Sequence, residues 1–338
     1  MKTFALATAA AVVALQTNSA LAFWDNGHML VGEVASQLMT AADRTTIETV
    51  LHKWDEDFPN TGKISTAAIW PDLLKCSKKS ASCASPLLPS FVQMDKWHYV
   101  NLPMNVNGSK WGGQEPDLSL FKSSFGGEAT DVLEKSMSTL TTTKSFWAVN
   151  LVLRNLIHIF GDLHQPLHVV AAVSETNPLG DQGGNLYKFT TPCASSNLHM
   201  LWDAAGGEYL TNWSLDTTSI AAVLAANATA LIKAIPANAD AINFAQFQSL
   251  SYSDFVSAVN NKALYRQVIL ESYTLCTSAV YPKLNLKANS KGDIACPSDD
   301  YFSFARATMK SRIALAGQRL SVVLTQIARQ LRTLGLAQ

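Results

Sequence analysis

The segment HIFGDLHQPLH, residues 158–168, gathers three of the chain's seven histidines and one aspartate into eleven residues, with Pro166 inside it. It closes a longer run, TKSFWAVNLVLRNLIHIFGDLH (143–164), whose apolar periodicity predicts a buried helix. His158 and Asp162 stand at i and i+4, so they share one face of that helix. Pro166 ends the helix because its ring clashes with the preceding turn, and His168 can then point in a different direction from His158. Four proton-binding groups among Ile, Phe and Leu are costly to bury unless something compensates them. Two ligands on one helical turn are a common grip for a metal ion.

The pattern recurs. In NLHMLWD (197–203), His199 and Asp203 are again i and i+4 on an apolar helix. Upstream, His28, Asp72 in AAIWPDLLK (67–75) and His98 in DKWHYVNLP (95–103) each sit beside Trp or other apolar residues. His52, in VLHKWDED, reads as exposed or locally bonded, and His164 as a packing group. Five of seven histidines in apolar helical contexts exceed what separate structural roles explain. His with Asp and no Cys favours zinc in a catalytic site, and the ligands are too many for one ion.

Helical periodicity dominates elsewhere, in 27–39 (Leu30, Val34 and Leu38 on one stripe), 217–235 and 301–334. Only GGNLYKFTTP (183–192) reads as a short strand, β-hairpin or extended loop. No repeat or long linker divides the chain. The expectation is an all-α fold, one compact multi-helix catalytic domain over 23–335. Arg312, Arg319, Arg329 and Arg332 mark the last helix as a solvated amphipathic face rather than a membrane span.

Residues 1–22 combine Lys2, an apolar run from Ala5 to Leu15 and a small-residue ALA at 20–22, the pattern of a cleaved signal peptide. The mature chain is then secreted and begins at Phe23. It carries 25 basic and 26 acidic side chains, so no bulk positive charge marks a nucleic-acid binder. Secretion permits disulfides. Proximity favours Cys76–Cys83 and Cys276–Cys296 and leaves Cys193 free, although sequence cannot fix the pairing. Asn107, Asn212 and Asn227 begin glycosylation sequons.

Six motifs in this order, WDNGHMLVGEVA, IWPDLLK, KWHYVNLP, HIFGDLHQPLH, GGN and NLHMLWD, resemble the secreted class I zinc-dependent single-strand-specific nucleases. These are the 3′-nucleotidase/nucleases of S-one/P-one type, which share the zinc phospholipase C fold. The resemblance covers nearly the whole mature chain and implies three zinc ions. Asp72, His98 and His158 would hold one, with Asp162 bridging it to a second. The second would also take His28 and the α-amino nitrogen and carbonyl oxygen of Phe23. His168, His199 and Asp203 would hold the third. The family's first residue is normally Trp, five before the histidine ligand. Here Phe23 has that spacing and Trp24 follows it, a tolerable change because the ligating atoms are backbone.

Three Zn²⁺ against three aspartates leave a local charge of about +3, enough for a neutral protein to attract a phosphodiester. The resemblance implies that hydroxide bridging the close zinc pair attacks phosphorus in line, with Lys75 stabilising the developing charge. Tyr99 would stack a base, Asn101 (where Asp is usual) would contact its edge, and Asn185 would line the phosphate site. The implied substrates are single-stranded DNA and RNA, cut to 5′-phosphate products, and 3′-nucleotides. The chain is expected to act as a monomer without an obligate protein partner. Two other readings stay open: a phospholipase C-like enzyme for lipid phosphodiesters, against which Tyr99 and Asn101 argue, and an inactive zinc-binding homologue.

Overall fold

In the computed structural model, which describes residues 25–74, 92–106, 127–209, 217–235, 244–261 and 263–337, the apolar periodicities become helices close to their expected bounds. The first half contributes α1 (Asp25–Leu38), α2 (Ala41–His52), α3 (Ile64–Ala67), α4 (Trp70–Leu73), α5 (Ala129–Thr142) and α6 (Phe146–Asp162). The second half contributes α7 (Leu198–Asp203), α8 (Thr217–Ala234), α9 (Ala245–Gln248), α10 (Tyr252–Asn260), α11 (Ala263–Leu275) and α12 (Asp299–Thr333). Two four-residue strands, β1 (Leu102–Asn105) and β2 (Val170–Val173), and two 3-10 turns, Val92–His98 and Pro166–His168, lie between them. The fold is helical, as expected.

α1 is more deeply enclosed than a single stripe implies. Eleven of its fourteen residues are buried, and it packs on α12, α3, α8 and α6. Leu38, expected on the buried stripe, is exposed at the helix end. Close approach depends on missing side chains: a Cβ on Gly317 of α12 would fall 2.4 Å from Val34 Cβ, and one on Gly32 would fall 2.7 Å from Ser65 Cα. α6 starts where Ser145 accepts the Ala148 N–H. It ends at Asp162, and Pro166 then opens a 3-10 turn that Gln165 caps by accepting the Leu167 N–H at 2.6 Å.

The solvated reading of the last helix needs correction. Arg329 and Arg332 are exposed, but Arg312 and Arg319 are buried. Both meet Glu271 of α11: Arg319 at 2.7 and 2.9 Å, Arg312 at 2.7 Å. Arg312 also donates to the His164 carbonyl (2.9 Å) and to Ser272, which in turn donates to the Leu163 carbonyl (2.8 Å). These charges lie inside because they hold the orphan carbonyls at the end of α6. His164 joins them as a packing group. Its Nδ1 donates to the Phe160 carbonyl and its Nε2 lies 3.1 Å from Arg319. Burial and the two guanidiniums hold it well below the usual imidazole range, so it stays neutral.

Residues 183–192 take the extended-loop alternative, with isolated bridges of Lys188 with Asn197 and Phe189 with Ile294. The only sheet among the described residues is the parallel pair β1–β2, in register Leu102↔Val170 to Asn105↔Val173. One further expectation changes, the disulfide pairing. The Phe189–Ile294 bridge carries Cys193 to Cys296, which form the disulfide at a Cα separation of 5.6 Å. Cys276 is therefore not the partner of Cys296. It is a free thiol in the core, where burial pushes its pKa well up. Sequence proximity misled because a tertiary bridge, not a short loop, brings the sulfurs together. Cys76, Cys83, Asn107, Asn212 and residues 1–22 lie outside the described residues, and Asn227 is half-buried on α8.

Glu271→Ala leaves two buried guanidiniums facing one another. It should cost about 3 kcal/mol in denaturant unfolding. Burial alone would raise the Glu271 carboxyl, but Arg319 and Arg312 hold it below its usual value. The native state therefore binds fewer protons, and this stabilisation is complete above the ordinary value of 4.5 and lost as pH falls through the depressed one. The acid limb of the stability curve should be shallower in the variant; an unchanged limb would show that the cluster contributes nothing there.

Candidate metal centre

α6 supplies the first two groups, His158 and Asp162, one turn apart on its buried face. α1 crosses that face at Gly161, where a Cβ would lie 2.9 Å from His28 Nδ1. The glycine is what admits His28, whose ring stacks on His158 at 3.8 Å. α4 delivers Asp72, and the 3-10 turn 92–98 delivers His98 at its last residue.

Asp162 sits at the centre. Its oxygens lie 3.2 Å from His28 Nε2, 3.1 Å from His98 Nδ1 and 3.2 Å from His158 Nε2. Asp72 Oδ1 lies 3.8 and 3.7 Å from the same nitrogens of His98 and His158. The second half is built by the β1–β2 pairing. Val100 N–H donates to the His168 carbonyl (2.8 Å), and Leu102 N–H to that of Val169 (2.7 Å), so the segment after His98 runs beside the segment after His168. His168 Nε2 then stands 3.6 Å from Asp203, and His199 Nε2 3.2 Å from it. His168 Nδ1, 3.7 Å from Asp162 Oδ1, joins the two halves. All eight residues are buried.

Three tautomers are set by the backbone. A carbonyl only accepts, so His158 Nδ1 donates to Ala68 (2.6 Å), His168 Nδ1 to His98 (2.7 Å) and His199 Nδ1 to Gly183 (2.7 Å). In its neutral form each ring then turns a bare Nε2 lone pair inward, the arrangement that metal-ligating histidines use. Gly183 can serve because its φ of +62° places its carbonyl there, and a Cβ would strike the Leu167 carbonyl at 2.3 Å.

The electrostatics call for cations. Burial alone would raise the Asp162 carboxyl, yet His158 and His168 hold it well below the usual range. Burial alone would lower His168, but Asp162 and Asp203 push it up to about 9. Asp25, which the sequence reading passed over, is pushed up to about 7 by burial and then by Asp72. Asp162 Oδ1, His168 Nε2 and Asp203 Oδ2 are buried with no hydrogen-bond partner. Ligands 2.0–2.1 Å from a tetrahedral ion are about 3.3 Å apart, and the contacts above span 3.1–3.8 Å. Three groups bring their donor atoms within 4.8 Å of one another: His28–Asp72–His158, His98–His158–Asp162 and His168–His199–Asp203. The residues present fit bound zinc. The first group differs from the division the sequence suggested, since His28 and Asp72 share it.

Beside the centre opens a cleft of about 840 Å³, reached by His98, His168 and His199 and lined also by Tyr99, Asn101 and Asn185. Asn101 has φ +56°, a left-handed backbone that Asn and Asp tolerate best. Asn185 donates to the Gln182 carbonyl (2.9 Å), which fixes its amide at the rim. Phe23 and Lys75 lie outside the described residues. Gln165, another residue that spacing did not reveal, donates to Asp203 Oδ1 at 2.7 Å and orients that carboxylate.

A helical fold that brings three adjoining His/Asp groups together offers sites that could hold divalent metal ions. The S1/P1 nuclease family model matches residues 23–329, and the chain belongs to that zinc-dependent family. It is 25% identical over 189 residues to Endonuclease 3 of Arabidopsis thaliana, 55% of each chain. It is 27% identical over 183 residues to Endonuclease 2 of the same plant, 53% of each, and 23% identical over 195 residues to Endonuclease 1, 57% of this chain and 56% of the relative. The chain thus spans about half the length of the curated relatives it matches. No described helix is long and apolar enough to cross a membrane.

Gln165→Leu removes the donor that orients Asp203. Zinc titration should show about 10- to 100-fold weaker binding at the His168–His199–Asp203 group. Equal affinity in both proteins would mean that packing alone sets that carboxylate.

Proposed function

We propose that the chain is a secreted zinc-dependent nuclease and 3′-nucleotidase, hydrolysing single-stranded DNA and RNA to 5′-phosphate products with three zinc ions. One observation carries this reading: buried imidazoles whose Nδ1 atoms are tied to carbonyls, so that bare Nε2 atoms converge on three aspartates. Such a set suits hard-to-borderline divalent ions and has no purpose as a core. His28, Asp72, His98, His158 and Asp162 would hold two ions with the backbone of Phe23, and His168, His199 and Asp203 the third. Bound zinc supplies Lewis acidity and water activation at neutral pH.

The chain's own groups do the rest. Asp162, buried and ionised, spans the two donor groups around it. The Tyr99 phenol is pushed up by burial and by Asp95 and Glu128, so it stays neutral and offers a ring to a base without repelling phosphate. Asn101 presents both a donor and an acceptor to the base edge. Lys75 would balance charge developing on phosphorus. A base must leave its stack to reach Tyr99, which favours single strands. The cleft's amide and aromatic lining is better suited to a nucleotide than to a lipid headgroup with its chains.

The direct test compares denatured DNA and RNA, 3′-nucleotides and phosphatidylcholine vesicles, with zinc present. Hydrolysis of the first three is expected; cleavage of the vesicles alone, or of nothing, sinks the reading. Asp162→Asn should lose about two of three zinc ions in elemental analysis, and retention of all three would refute the bridging role. One extra residue before Phe23 should lower zinc content and activity together. A fully active extended protein would show that the α-amine is not a ligand.

A further inference from the structure

His199 is aimed by a backbone carbonyl, and that carbonyl belongs to a loop of unusual backbone. Between Gly180 and Gly184, four of five residues are left-handed: Gly180 at φ +87°, Gln182 at +56°, Gly183 at +62° and Gly184 at +86°. Glycine adopts such angles freely, but Gln182 does so at a cost and needs its surroundings to hold it there. Two groups of the loop face the site. The Gly183 carbonyl accepts from His199 Nδ1 at 2.7 Å, and Asn185 lines the cleft.

The remaining residue of the five, Asp181, is what holds the loop. It is completely buried, where a carboxylate is costly unless its lone pairs are filled. Neutral donors fill them. Oδ1 accepts the Ala172 N–H of β2 at 2.8 Å, Oδ2 accepts the Tyr281 hydroxyl at 2.6 Å, and the Gly184 N–H also bonds to the carboxylate. The Asp181 carbonyl in turn accepts the Leu186 N–H at 3.1 Å. One side chain thus fastens the loop to β2 and to a buried tyrosine beyond α11. An apolar residue could fill the same space, but it would leave the Ala172 and Gly184 N–H groups without this acceptor.

β2 begins two residues after His168, so the carboxylate ties the strand that follows one histidine to the loop that aims another. We infer that Asp181 is a positioning residue for the His168–His199–Asp203 group. By fixing the loop against β2 it places the Gly183 carbonyl, which sets the tautomer and direction of His199, without itself touching metal or substrate. This rests on the zinc reading above and deepens it.

The test is metal competition on the zinc-loaded full chain: a chelator is titrated in, and the zinc retained is counted by elemental analysis. Asp181→Asn keeps the size of the side chain but turns an amide NH₂ toward groups that need an acceptor. One of the three ions should then leave at about tenfold lower chelator concentration, while the other two hold as in wild type. With cobalt(II) in place of zinc, the visible absorption of that one ion should change, because its histidine is no longer held. His199→Ala removes a ligand of the same group and identifies the ion concerned. Tyr281→Phe keeps the carboxylate and removes one of its donors; it should shift the same ion in the same direction by less. Wild-type release in Asp181→Asn, or in Tyr281→Phe where the asparagine variant does not fold, overturns the role while the zinc reading stands. Parallel weakening of all three ions with a lower melting temperature overturns it too, because Asp181 then serves only the fold. Zinc content unchanged in His199→Ala overturns the metal reading of this group and the role of Asp181 with it.

Discussion

A single buried carboxylate, Asp162, is the constraint on which the site depends. Four imidazoles from α1, α6 and both 3-10 turns approach it within 3.7 Å, and Asp72 and Asp203 stand behind them. All of these groups are buried, with only a few per cent of their surface left to water. Left alone, such a knot has to trap protons or fall apart, because isolated buried charges are too costly. Cations between the donors would convert the same crowding into binding energy, with metal affinity tied to folding. The close crossing of α1 at Gly161 and the carbonyls of Ala68, His98 and Gly183 follow from that requirement, since they aim the rings.

The ionic cluster on the other side of α6 supports this arrangement. Arg312, Arg319 and Glu271 grip the chain at Leu163 and His164, directly after the helix that presents Asp162. A buried ion network is weak evidence for stability as such. Here it satisfies carbonyls that the end of a helix leaves open, and it fixes the turn that carries His168 toward Asp203. The two charged systems therefore share one segment, one holding its backbone and the other using its side chains.

Net neutrality of the whole chain is consistent with this division. In the proposed reading, the charge that attracts an anionic substrate would come from metal held at the His/Asp centre rather than from a basic surface. The surrounding surface can then be aromatic and amide-rich, as the Tyr99 cleft is.

Much of the site was legible in residue order because i, i+4 spacing is a local property. His158 with Asp162 and His199 with Asp203 needed only helical periodicity, and Pro166 announced the break between them. Composition and periodicity also gave the helical class and the approximate bounds of α1, α6, α8 and α12. Long-range pairing was not legible. The disulfide partner of Cys296, the parallel β1–β2 contact that sets His168 beside His98, the burial of Arg312 and Arg319, and the roles of Gln165 and Asp25 depend on segments tens to hundreds of residues apart. The sequence by itself determined which residues had the chemistry to bind metal and which faces they shared. Only the tertiary structure decided which of them meet, because hydrogen-bond geometry and close packing across elements, unlike helical spacing, leave no periodic trace in the chain.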